Sequence, residues 1–100
     1  MKRVYLDHNA TAPLRHEARD AMLAAMDVVG NPSSVHAEGR AAKAIVERAR
    51  AQVGALVGGD PHEVIFTSGA TESAALAAQR HRMVCADVEH DAVAAHQAAS

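Results

Sequence analysis

Of the 49 hydrophobic residues in this 100-residue chain, 24 are alanine and 11 are valine, and the only aromatic residues are Tyr5 and Phe66. That choice limits the fold more than any motif does. Burying a large aliphatic or aromatic side chain contributes about 1.5–3 kcal/mol, and an alanine methyl offers far less. Ordering each residue costs about 1–2 kcal/mol of backbone entropy. A chain of this length removes only about two thirds of its surface from water. Helices faced with alanine pack closely but gain little from it, so the composition predicts a marginal fold that belongs inside a larger body.

The charge balance of 10 basic and 12 acidic residues, net -2, argues against a nucleic-acid-binding arm. No apolar run approaches the roughly 20 residues that span a bilayer. Lys2-Arg3 is followed by Asp7 with no apolar h-region between, so no secretory signal is read. The lone cysteine, Cys85, forms no internal disulfide and fits a reducing, cytoplasmic compartment.

Val4-Tyr5-Leu6 reads as a short extended run. Ala18, Met22, Ala25, Met26 and Val29 recur at three and four, predicting a helix over 14–29 with Gly30 as its stop. Gly30-Asn31-Pro32-Ser33-Ser34 is a turn cluster in which either serine is placed to cap the next helix. That helix is predicted over 35–57 on the stripe Ala42, Ile45, Val46, Ala49, Val53 and Leu56, despite two internal glycines, Gly39 and Gly54. Gly58-Gly59-Asp60-Pro61 ends it. Residues 63–67 are the best strand pattern, 72–79 a helix, 82–87 a second strand, and a last helix opens at His90-Asp91. Strand, crossover helix and strand make a βαβ unit, so the expected class is α/β with a parallel sheet and no internal domain boundary over 1–100.

Two places could carry chemistry. Thr67-Ser68-Gly69-Ala70-Thr71-Glu72 is a glycine loop between a strand pattern and a helix start. Unpaired N–H groups at a helix N-terminus, aided by the dipole, attract anions, and the Ser and Thr hydroxyls could add hydrogen bonds. The same pattern equally describes a plain capped turn. No lysine follows as in a nucleotide-binding P-loop. Val88-Glu89-His90 lies just past the second strand, the end at which open α/β sheets place ligands. Histidine there suits ring stacking and proton transfer, although one loop histidine among seven also reads as unemployed. No metal site is expected, since His90 and His96 stand six apart, off one helical face. Cys85 lies within a strand pattern, where a buried, inert thiol is expected.

Taken in order, Tyr5-Leu6-Asp7-His8-Asn9-Ala10-Thr11, Gly30-Asn31-Pro32-Ser33-Ser34-Val35-His36 with Gly39-Arg40, Phe66-Thr67-Ser68-Gly69-Ala70-Thr71-Glu72-Ser73 and Val88-Glu89-His90 resemble the N-terminal portion of cysteine desulfurases, the NifS/IscS-like branch of the class V aminotransferases. Each motif alone is weak and the ordered set is specific. The resemblance covers almost the whole chain. It implies the N-terminal part of a fold-type-I transferase using pyridoxal 5'-phosphate (PLP). It further implies a homodimer that converts L-cysteine to L-alanine and passes sulfur to an acceptor scaffold protein for iron–sulfur cluster or thio-cofactor assembly. By the same resemblance Ala70 and Thr71 bind the cofactor phosphate, and His90 stacks on the pyridine ring and helps move protons. Asn9 and Asn31 match motifs near the active site without a definite role.

The chain also departs from the family pattern. The lysine that holds the cofactor covalently, the persulfide cysteine, the acid facing the pyridine nitrogen and the carboxylate-binding arginine lie downstream in the family, and neither Lys2 nor Lys43 nor Cys85 matches them. The chain by itself is therefore expected to be inactive. Ala74-Ala75 stand where asparagines are common, and the stretch from Thr71 to His90 is shorter than usual. Two other readings stand beside this one: a non-catalytic fragment serving as a small binding or dimerisation module, and another class V enzyme such as a selenocysteine lyase or an aminotransferase.

Overall fold

The computed structural model describes residues 1–97. Its elements are α1 (His16–Met26), α2 (Ala37–Val57), a single 3-10 turn (Pro61–Glu63), α3 (Ala70–Ala78) and α4 (Asp91–Ala94). They fall into two compact units, Met1–Pro61 and the chain from His62 onward.

In the first unit α1 forms on the predicted stripe but stops before Gly30. Asp27 is its C-cap, where a negative side chain opposes the helix dipole, and the β-branched pair Val28-Val29 resists another turn. The turn before α2 is built by Asn31 rather than by a serine cap. Asn31 Oδ1 accepts the Ser33 N–H at 2.9 Å, and its carbonyl accepts the Ser34 N–H at 2.9 Å. Ser34 Oγ reaches only the His36 N–H, at 3.4 Å, and the N-cap, His36, makes no side-chain cap. Gly58 closes α2 in the left-handed region (φ 70°), with the Gly59 N–H on the Gly54 carbonyl at 2.9 Å.

Gly39 costs the helix about 1 kcal/mol relative to alanine, and the structure shows what that allows. A Cβ on Gly39 would lie 2.5 Å from the Ser34 carbonyl oxygen and 2.7 Å from that of Asn31. A Cβ on Gly30 would collide with the Glu38 carbonyl. The 30–34 loop thus lies backbone against backbone on the first turn of α2. Farther along, Ala21, Ala24 and Ala25 of α1 face Ile45, Ala49 and Gln52 of α2 across an open wedge of about 420 Å³. Only Ala25 of the predicted α1 stripe lines this wedge, and Met22, Met26 and Val29 stay exposed.

In the second unit α3 packs against α4. The strand patterns at 63–67 and 82–87 form no ladder, nor does 4–6 in the first unit. A strand draws its hydrogen bonds from a neighbour, and among the described residues the only β-bridge is one parallel pair, Met83 to Gln97. The final helix is likewise short, and 98–100 lie outside the described residues. Among the described residues only Ala42 and Ala74 are buried hydrophobics, while Leu6, Leu56, Val84 and Val88 are each more than four-fifths exposed. The thin core read from composition is present in the fold.

Candidate functional site

The glycine loop is the best organised part of the second unit. Gly69 is the N-cap of α3, in extended backbone (φ 166°, ψ -176°), and its carbonyl accepts the Ser73 N–H at 3.1 Å, the first bond of the helix. Two clasps hold the loop. Glu72 Oε2 accepts both the N–H and the hydroxyl of Ser68, at 2.7 and 2.6 Å. The hydroxyls of Thr67 and Ser73 meet at 2.7 Å and each lies within reach of the Gly69 carbonyl, at 3.1 and 3.2 Å. Two of the hydroxyls expected to serve a ligand, those of Thr67 and Ser68, are therefore occupied within the loop.

Helix geometry leaves the first N–H groups of α3 without intrahelical acceptors. Those of Ala70, Thr71 and Glu72 accordingly remain as donors at the positive end of the dipole, and the exposed Thr71 hydroxyl stands with them. Ala70 and Thr71 are the two positions to which the family resemblance gives the phosphate. The clasps by Thr67, Ser68, Glu72 and Ser73 were not read from the sequence.

His90 is the N-cap of α4, and its Nδ1 accepts the Ala92 N–H at 3.1 Å. Accepting at Nδ1 leaves the proton of the neutral ring on Nε2, facing outward from an exposed side chain. Among the described hydrogen bonds and ring contacts none joins His90 to the Gly69 loop. Cys85 is half-buried and unoxidised. Asn31 is used in its turn, and Asn9 lies beside the Asp7 turn, in which Ala10 donates to the Asp7 side chain at 3.3 Å. No group of three His, Cys, Asp or Glu able to hold a metal occurs among the described residues, and no helix there is long and apolar enough to cross a membrane.

The Ser68 hydroxyl, and then the Ser68 N–H, stabilise the Glu72 carboxylate and hold its pKa below the ordinary 4.5, against a small opposing effect of desolvation. The folded form therefore gains from this group above the ordinary carboxylate range and loses that gain as pH falls through the lowered folded value. In a side-chain carbon titration Glu72 is expected to titrate lower in the native chain than in the urea-unfolded chain. Equal midpoints in the two states would show that the clasp does not form.

The aminotransferase class-V family model matches residues 4–99. An IscS-like cysteine desulfurase of Mycobacterium tuberculosis is 43% identical over 101 residues, covering 89% of this chain and 26% of that protein. A cysteine desulfurase of Frankia is 44% identical, covering 90% of this chain and 24% of that protein. A selenocysteine lyase of Bos taurus is 51% identical over 73 residues, covering 72% and 17%. No solved structure matches. The chain thus spans about a quarter, or less, of these relatives' length. With residues 4–99 under the family model, and cysteine desulfurases 43% and 44% identical over about nine-tenths of its length, the chain belongs to the class V aminotransferases.

Proposed function

We propose that this chain supplies the phosphate cradle and the ring-facing histidine of a PLP-dependent cysteine desulfurase. The carrying observation is the match to desulfurases over about nine-tenths of the chain, and the open donors of Ala70 and Thr71 support the phosphate role that the resemblance implies. The donor set fits: backbone N–H groups and one hydroxyl at a helix start suit a phosphate ester, and no other side-chain carboxylate of the loop stands with them.

PLP, when bound, supplies an electron sink for breaking bonds at the substrate α-carbon. Ala70 and Thr71 hold its phosphate by their N–H groups, with the Thr71 hydroxyl as a further donor. His90 offers a flat ring for stacking and a proton on Nε2, its orientation set by the Ala92 N–H. The substrate is L-cysteine, yielding L-alanine and a sulfur atom for an acceptor scaffold protein, in a cytoplasmic homodimer. Residues 1–100 form one continuous piece of the domain, in which 63–67 and 82–87 become strands of a parallel fold-type-I sheet once neighbouring strands supply their hydrogen bonds. A selenocysteine lyase is the second reading, favoured by the 51% identity over 73 residues. It covers less of the chain than the desulfurase matches do.

PLP is expected to shift the Ala70 and Thr71 amide resonances of the labelled chain, and pyridoxal lacking the phosphate is not. Shifts that ignore the phosphate would overturn the cradle. Lacking a lysine and a cysteine at the family's covalent positions, the 100-residue chain with PLP and L-cysteine is expected to release no alanine above a free-cofactor blank.

A further inference from the structure

We propose that Glu72 is the positioning residue of the glycine loop, its carboxylate clasping Ser68 so that the Ala70 and Thr71 N–H groups stay turned toward an anion. The proposal rests on the phosphate reading of that loop.

The usual capping box pairs a Glu at the third helical position with the N–H of the N-cap. Here Glu72 occupies that third position but reaches one residue farther back, past the N-cap Gly69 to Ser68. A single oxygen takes both Ser68 donors, at 2.7 and 2.6 Å. That spans the one residue of the loop with no side chain, where nothing lies within 4 Å of a would-be Cβ and no packing restrains the backbone. Hydrogen bonds therefore do what packing does not. The Thr67–Ser73 pair spans the same residue at 2.7 Å, so the loop is tied on both sides of Gly69. The negative charge is itself unfavourable to a bound anion, while it favours the helix start and accepts from Ser68, so the balance is read from the variants below.

The test uses the full isotope-labelled chain at low temperature, reading Ser68 amide exchange and the affinity for inorganic phosphate. In the native chain the Ser68 amide is expected to exchange at least about tenfold slower than in an unstructured peptide. Glu72→Ala is expected to remove that protection and weaken phosphate about three- to tenfold. Glu72→Gln keeps an acceptor oxygen at the same reach and is expected to restore both readings to within about threefold of the native chain. Exchange at 75–78, inside α3, stays unchanged in the Gln variant.

Tighter phosphate binding in both variants would mean that the carboxylate acts by charge alone and would overturn the proposal. So would an unprotected Ser68 amide in the native chain. If phosphate moves no resonance while Ser68 is protected by Glu72, the cradle reading fails and the clasp itself stands.

Discussion

Replacing Ala70 by proline weakens the chain's hold on the phosphate of PLP by about tenfold or more while leaving α3 formed. Ala70 is the first helical residue after the N-cap Gly69. Proline is well tolerated there: its fixed φ of about -65° is helical, and the N–H it lacks has no partner in the helix. The residue before a proline is pushed out of the α region, and Gly69 is already extended at φ 166° and ψ -176°. The substitution thus deletes one hydrogen-bond donor and little else. A hydrogen bond to a charged group contributes about 1.5–3 kcal/mol, and about 1.4 kcal/mol is a factor of ten in affinity. Titration with PLP, with circular dichroism to verify the helix, reads the effect. Unchanged affinity beside an intact helix would remove Ala70 from the cradle.

The isolated chain is expected to lose its helical signal on heating as a broad slope. Cooperative melting needs side chains that lose their contacts together. Here Ala42 and Ala74 are the only buried hydrophobics among the described residues, and the α1–α2 wedge stands open. Ile65, Leu76, Val84 and Val88 remain exposed in the second unit. Helices of 9 and 11 residues, α3 and α1, are too short to be stable in water on propensity alone. Far-UV circular dichroism against temperature decides the point. A sigmoidal transition with a midpoint above about 45 °C, the range of ordinary mesophile domains, would contradict it.

What could be read from the residues follows from the range over which each interaction acts. α1, α2 and α3 were legible because helix-forming patterns are local, although only α2 ends at a predicted glycine and α1 stops earlier, at Asp27. Gly58 closes α2 where the glycine pair predicted, and His90 caps the last helix. The strands were legible only as patterns: Val64, Ile65 and Phe66 have the residue types of a strand, but its hydrogen bonds come from chain that must lie alongside. Ala70 and Thr71 came from the family resemblance, since the glycine loop before a helix pointed to an anion site no more than to a plain capped turn. The Glu72 clasp escaped because its spacing, Ser68 to Glu72, is one residue longer than the familiar box. The serine cap of α2 failed because the helix begins later, at Ala37 with His36 as its N-cap, which leaves Ser33 and Ser34 upstream of the capping position.

The scarcity of buried apolar surface also shapes how the chain responds to cold. An ordinary 100-residue domain gains about 1.2–1.5 kcal/mol/K in heat capacity on unfolding, nearly all from newly wetted apolar groups. A chain that already wets most of its valines and leucines has little left to gain, so its stability curve is shallow and bends only slightly toward cold denaturation. Its local order comes from hydrogen bonds, those within the helices and those of the Ser68–Glu72 and Thr67–Ser73 pairs. Unlike hydrophobic burial, these do not fade on cooling. The native arrangement of this chain is therefore best populated near the freezing point, below the roughly 10–20 °C at which ordinary domains are most stable.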